Sequence, residues 1–112
     1  MTVTAQEKMV REMAAVIVAA ANPRKIVLFG SLAREAAGPG SDVDLLVIED
    51  EPFGPGRSRR REMARLSRLL AHFRLPQDIL VYSAEETEHW AKTRNHVIAR
   101  ALREGRVVYE RP

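Results

Sequence analysis

The feature that most constrains the fold is a pair of acids at the start of an apolar strand, within residues 26–47. Residues 26–29 (Ile-Val-Leu-Phe) predict a first strand that ends at Gly30, and a second strand begins at Asp42 and carries Asp44 before Leu-Leu-Val. Successive side chains of a strand point to opposite faces, so the two acids share one face, about 6.6 Å apart along the strand. Two carboxylates this close are unstable in a packed core, and their face must therefore meet solvent or a cation.

The same stretch carries the complementary features of an anion site. Neighbouring carboxylates suit Mg²⁺, which completes its octahedron with waters and substrate phosphates. Gly30 has no Cβ and lets a phosphate approach the backbone closely. If Ser31 caps a short helix over residues 32–35, that helix presents free N–H groups and a positive dipole end to an anion. The stretch therefore predicts a site for a metal ion and a triphosphate.

These residues resemble the signature of the DNA polymerase beta-type nucleotidyltransferase superfamily, in which Gly-Ser is followed, ten residues later here, by Asp-x-Asp-Leu. Ser-Leu-Ala-Arg at 31–34 and Ser-Asp-Val-Asp-Leu-Leu-Val at 41–47 resemble, more narrowly, the small prokaryotic minimal nucleotidyltransferase (MNT) proteins. The sequence departs from the family at Glu35, where Gly usually follows the Arg. This change adds a negative charge beside the predicted phosphate site and bears on nucleotide affinity more than on the fold.

The resemblance implies a role for each acid of the site. Asp42 and Asp44 hold two Mg²⁺ ions, one of which also binds the triphosphate. In the family a third carboxylate comes from a later strand, and Asp78 in Gln-Asp-Ile-Leu-Val matches it. If that strand lies beside the second one, the three acids converge at one end of the sheet.

The resemblance also assigns the phosphate-binding residues. Gly30 and Ser31 hold the triphosphate, which releases pyrophosphate during the reaction. Arg34 either meets a phosphate from its helix or pairs with Glu35 or Glu49. Residues 36–41 are turn residues, and they form either a plain loop or a mobile flap.

Apolar periodicity predicts the remaining elements. Helices are expected from a cap at Thr2 or Thr4 to about residue 21, over residues 57–73, and from about 95 to 104. In the last of these, Val97, Ile98, Ala101 and Leu102 form one apolar stripe and Gly105 ends the helix. A third strand is expected at 77–82 and a final strand or extended tail at 106–109. Ser83 and Glu86 form a capping box for one more helix.

This order of elements predicts an α/β (α+β) fold, with a small mixed β-sheet and helices mainly on one face. At 112 residues, the chain is expected to form one minimal nucleotidyltransferase domain over residues 1–112. The apolar residues of the final strand complete the sheet or contact a partner chain, and a homo-oligomer is one such arrangement.

The charged and aromatic residues outside the motif leave several alternatives open. Residues 57–61 (Arg-Ser-Arg-Arg-Arg) form a solvated helix face or a nucleic-acid contact. The acidic run at 49–51 is expected in a solvated loop. Trp90 is expected to anchor a core or an interface. The three histidines lack zinc-motif spacing and are expected on the surface or in the core.

Composition excludes several classes of protein. There is no cysteine, which rules out disulfides and thiolate metal sites. No apolar run is long enough to span a bilayer, and no signal-peptide pattern precedes residue 20, so a cytoplasmic location is expected. The formal net charge of +3 is mild, and with 5% aromatic residues the chain is a poor base-stacking platform.

The leading hypothesis is Mg²⁺-dependent transfer of AMP from ATP to a hydroxyl. Small family members resembling this chain are commonly encoded beside a helical HEPN protein, and some act as antitoxins that adenylylate a tyrosine of that partner. Two alternatives come from other classes. One is a non-catalytic subunit that docks onto a HEPN-like protein, and the other is a nucleic-acid-binding module that works through residues 57–61.

Overall fold

A computed structural model of the 112-residue chain describes residues 5–30 and 42–112. Its elements follow one another as α1 (Ala5–Ala21), β1 (Lys25–Phe29), β2 (Val43–Glu49), α2 (Arg59–Leu70), a 3-10 turn (Ala71–Phe73), β3 (Gln77–Ser83), α3 (Ala84–Trp90), α4 (Val97–Glu104) and β4 (Arg106–Glu110). The predicted caps Thr2 and Thr4 and the predicted helix after Ser31 lie outside the described residues.

The four strands form one mixed sheet in the order β3-β2-β1-β4. Strand β1 pairs antiparallel with both β2 and β4, whereas β2 and β3 are parallel and are joined by α2. The mixed sheet and the α/β class predicted from the sequence are confirmed. Because β1 runs opposite to β2 and β3, its last residue lies at the same edge of the sheet as their first residues.

The alternation of side chains along β2 divides the core into two layers. Val43, Leu45 and Val47 face the two long helices, where they pack with Met13 of α1 and Leu66 of α2. On the opposite face, Leu46 and Ile48 pack with Val27, Ala84, Ile98 and Ala101, which brings in α3 and α4. The longer helices thus cover one face and the two shorter helices cover the other.

Local signals in the sequence account for several element boundaries. Helix α2 begins at Arg59, two residues after the expected start, and Ser58 caps it by accepting a hydrogen bond from the Arg61 amide. The predicted capping box at the start of α3 is confirmed, because Ser83 Oγ accepts from the Glu86 amide and the Glu86 carboxylate accepts from the Ser83 amide. Helix α4 starts two residues later than expected, with the His96 side chain as its cap.

Two expectations for charged residues are wrong. Glu49 is not in a solvated loop: it ends β2, is 4% exposed and forms an ion pair with Arg57. The arginines of residues 57–61 do not form a uniformly solvated face either, because Arg57 and Arg59 are half-buried and paired with Glu49 and Glu86. Both pairs join residues from different elements, so local pattern did not show them.

Candidate active site

The strand pairing brings three of the predicted acids to one edge of the sheet. Asp44 lies directly opposite Asp78 in the parallel β2–β3 pair, and neighbouring strands are about 4.8 Å apart. Asp42 precedes Asp44 by two residues and so points to the same face. The expected convergence of the three acids is therefore observed, and it occurs on the sheet face that α4 covers.

Three negative charges lie close together at this edge of the sheet. Partial burial raises the pKa of Asp44, and the charges of Asp78 and then Asp42 raise it further. Within the described part of the chain, none of the three carboxylates has an ion-pair partner. Such carboxylates favour a bound cation, which would relieve their mutual repulsion.

Gly30 lies against these acids. Phe29 is paired with Asp44 in the antiparallel β1–β2 register, and Gly30 follows it with a φ of +77°. A Cβ at this position would lie 3.3 Å from Asp44 Cγ and closer still to Oδ2. Only glycine adopts this backbone conformation without strain and leaves room for the carboxylate. Ser31, Arg34 and Glu35 lie outside the described residues.

The donor set fits a hard divalent cation. Three carboxylates at one edge supply the oxygen ligands that Mg²⁺ prefers, and Mg²⁺ usually takes only one or two of them together with waters and phosphates. Among residues 5–30 and 42–112, no three acidic, histidine or cysteine side chains form a ready-made metal cluster. The three carboxylates therefore fit a Mg²⁺ ion that takes its remaining ligands from waters and phosphates.

A groove adjoins the acids on the same face of the sheet. It has a volume of about 260 Å³ and is lined by Phe29, Gly30, Asn95, Val97, Arg100, Ala101 and Glu104. Sequence analysis did not single out Asn95, Arg100 or Glu104. The available signal was their spacing on α4, since residues 97, 100, 101 and 104 share one helical face. Val97, expected in the buried stripe, is 45% exposed.

The position of α4 depends on Gly105, which ends the helix as predicted. Its amide donates to the Ala101 carbonyl at 2.8 Å. A Cβ on Gly105 would lie 2.6 Å from Val27 Cγ1 and 2.9 Å from the Leu28 carbonyl oxygen. The end of α4 therefore packs closely against β1, and residues of both elements line the groove.

A second cavity, of about 320 Å³, lies at the other end of the sheet. Its lining residues include Phe53, Glu85, Glu86, His89 and Trp90. Trp90 packs with the α4-side core and stacks on His96 with a ring-centroid distance of 4.0 Å. Acidic residues disfavour a phosphate at this cavity. The groove beside Gly30 is the better candidate for a nucleotide.

Comparison with known proteins agrees with this geometry. The profile of the nucleotidyltransferase domain family matches residues 10–108. No curated protein sequence matches the chain significantly. The chain belongs to the nucleotidyltransferase domain family, and it is a nucleotidyltransferase, as its motif indicated.

Two solved structures share the fold. A proposed nucleotidyltransferase from Sulfolobus solfataricus superposes with a TM-score of 0.66 at 18% identity, over 93% of this chain and 79% of the other. A toxin–antitoxin structure with AMP-PNP superposes with a TM-score of 0.53 at 15% identity, over 90% of this chain and 73% of the other. At these identities the likeness concerns the fold alone.

None of the helices in the described ranges is both long and apolar enough to cross a bilayer.

Proposed function

We propose that the chain transfers AMP from ATP to a hydroxyl group in a Mg²⁺-dependent reaction. The observation that carries the proposal is the register of Asp44 opposite Asp78, with Gly30 against the Asp44 carboxylate. This arrangement supports a catalytic and metal-binding role for Asp42, Asp44 and Asp78. Residues 1–112 would form one such domain, and the cytoplasm, where ATP is available, is the location that we propose for the reaction.

The acids of the site would bind metal ions, and the Gly30 side of the site would bind the triphosphate. Asp42, Asp44 and Asp78 would hold two Mg²⁺ ions, which when bound stabilise charge on both the attacking and the leaving oxygen. Gly30, Ser31 and Arg34 would hold the triphosphate through backbone amides and a guanidinium. The chain needs no nucleophile of its own, because the reaction depends on positioned charge.

The transfer step needs only ATP and the acceptor hydroxyl as reactants. The acceptor oxygen forms a bond to the α-phosphorus, and the bond from that phosphorus to the oxygen bridging to the β-phosphate breaks. Pyrophosphate leaves with the electron pair. The hydroxyl proton passes either to Asp78, whose carboxylate is exposed at the edge of the site, or to water.

A tyrosine of a HEPN-type toxin is the acceptor that we propose, with this chain as the antitoxin. The resemblance to MNT proteins supports this role, and so does the fold shared with a toxin–antitoxin structure that contains AMP-PNP. A protein partner would bring the acceptor to the open edge that carries Asp42 and Asp78, both of which are exposed.

A non-catalytic docking subunit is the second candidate, and Glu35 in place of the family's Gly favours it. A nucleic-acid module is less well supported, because Arg57 and Arg59 are engaged in ion pairs within the chain. To bind a phosphate backbone, Arg57 would have to leave the buried carboxylate of Glu49, and Arg59 the half-buried carboxylate of Glu86.

Transfer of label from α-³²P-ATP with Mg²⁺ tests the proposal, with and without a candidate HEPN partner. We expect labelled partner with the native chain and at least a 1,000-fold lower rate with Asp42→Asn/Asp44→Asn, about 4 kcal/mol of transition-state stabilisation. The double variant should remain as stable as the native chain, because the substitutions remove repulsion. A stable complex that gives no label from any nucleotide would overturn the transferase and leave the docking subunit.

A further inference from the structure

The groove beside Gly30 lies on a defined side of the site. The sheet order β3-β2-β1 places Asp78, Asp44 and Gly30 in a row across three neighbouring strands. The groove begins at Gly30 and extends under α4, so Asp44 separates it from Asp78. An acceptor activated by Asp78 and a ligand in the groove would therefore approach Asp44 from opposite sides.

The order of Asp78, Asp44 and Gly30 across the sheet matches the geometry of in-line phosphoryl transfer. In an in-line displacement, the attacking oxygen and the leaving group lie on opposite sides of the phosphorus. If the acceptor lies at Asp78 and the α-phosphate at Asp44, then the leaving pyrophosphate lies on the Gly30 side. The groove is where the β- and γ-phosphates of the donor would extend.

Arg100 supplies the matching charge. It is the one cationic side chain among the described residues that line the groove. Its Nε lies 3.7 Å from Glu104 Oε2, and the two side chains are 59% and 46% exposed. A pair this long and exposed contributes little to stability. Arg100 is therefore free to exchange Glu104 for a phosphate, which its planar guanidinium binds through two hydrogen bonds.

We infer that Arg100 binds the β- and γ-phosphates of the nucleotide donor and, after transfer, the leaving pyrophosphate. The inference rests on the proposed function and adds to it a residue outside the sequence motif. Glu104 weakens phosphate binding, because its carboxylate lines the same groove and competes for the Arg100 guanidinium. The two residues should therefore change affinity with opposite signs.

Equilibrium dialysis of the full chain with Mg²⁺ and ATP, AMP or pyrophosphate tests this inference. Arg100→Ala should weaken ATP and pyrophosphate binding about 10-fold and leave AMP unchanged, because only the first two carry the contacted phosphates. Glu104→Gln should tighten ATP and pyrophosphate about 2- to 3-fold. Arg100→Lys should recover part of the loss, since it keeps the charge but not the paired donors.

Arg103→Ala is the matched control, because Arg103 lies on the same helix, is exposed and does not line the groove. It should bind all three ligands as the native chain does, and thermal unfolding should show that both alanine variants are folded. If Arg100→Ala weakened the binding of AMP and ATP equally, or changed neither, the inference about Arg100 would be overturned and the proposed function would stand. If the native chain binds neither ATP nor pyrophosphate, the proposed function fails and the inference fails with it.

Discussion

The two ends of the β2–β3 strand pair carry acids in opposite electrostatic states. At the amino ends, Asp42, Asp44 and Asp78 have no cationic partner within the described residues. At the carboxyl ends, Glu49 and Glu86 are paired with Arg57 and Arg59. The comparison shows that, among the described residues, the acids with arginine partners lie where they join elements of the fold, and the acids without one lie where we propose that a ligand binds.

The paired end is built like a small core. Arg59 donates to both carboxylate oxygens of Glu86 and to the Val81 carbonyl, and its guanidinium lies 4.3 Å from the centroid of the Tyr82 ring. Burial would raise the pKa of Glu86, yet Arg59 and the Ser83 amide hold it below its usual value. These contacts tie α2 and α3 to the end of β3.

Among single substitutions that compare the two ends, the largest effect is expected from Gly30→Ala, at the unpaired end. The new Cβ would meet the Asp44 carboxylate and would sit in a backbone conformation with φ of +77°. We expect the rate of label transfer to fall about 10- to 100-fold, because displacement of a reacting group by 1 Å has an effect of this size. The free energy of unfolding should fall by only about 1 kcal/mol.

Gly54→Ala is the control for that variant, since a Cβ there meets nothing within 4 Å. Its transfer rate should equal that of the native chain. If Gly30→Ala were also fully active, Gly30 would have no part in the site and the contrast between the two ends would lose its functional meaning.

Arg59→Ala is expected to have the second-largest effect, on stability rather than on activity. Loss of the Glu86 pair, the Val81 hydrogen bond and the Tyr82 contact should lower the free energy of unfolding by about 1–2 kcal/mol. Urea unfolding measures this, with exposed Arg60→Ala as the matched control. Loss of transfer activity in a variant that is still folded would contradict the assignment of this end to structure.

The smallest effect concerns Glu49 and depends on pH. The pKa of Glu49 is raised from 4.5 to about 7: burial is the largest cause, the neighbouring Glu62 carboxyl also raises it, and Arg57 opposes both. Within the described residues Glu49 Oε2 is buried and without a hydrogen-bond partner, so a protonated Glu49 is suited to donate to Glu62. A carboxyl whose pKa is raised on folding destabilises the native state increasingly as pH rises from about 4.5 to about 7.

Glu49→Gln should therefore match the native chain in stability near pH 4.5 and exceed it by about 1 kcal/mol at pH 8, an amount reduced by the nearby Arg57 charge. Unfolding free energies at the two pH values measure the difference. A variant that is less stable than the native chain at pH 8 would show instead that the ionised Glu49–Arg57 pair is a net stabilising contact.

Much of the fold could be predicted because its signals are local. The alternation along β2, the capping box at Ser83 and Glu86, and Gly105 at the end of α4 each lie within a few residues of sequence. The approach of Asp78 to Asp44 required knowledge of strand order, and only the family resemblance suggested it. Sequence alone gave no reason to expect Glu49 to be buried.

The groove was missed for a related reason. Asn95, Arg100 and Glu104 are ordinary residues for a helix surface, and nothing in their local pattern distinguishes them from a solvated face. They line a groove only because α4 packs across the end of β1, through contacts with residues some 70 positions earlier. Information of this kind lies in tertiary packing rather than in periodicity.

The contact of Gly105 with β1 has a consequence for selectivity. Since a Cβ at position 105 would meet both the Val27 side chain and the Leu28 carbonyl oxygen, α4 could not keep its present distance from β1 with a larger residue there. Ligands should then be selected by size and shape, and a single methyl group at position 105 would change the width of the groove.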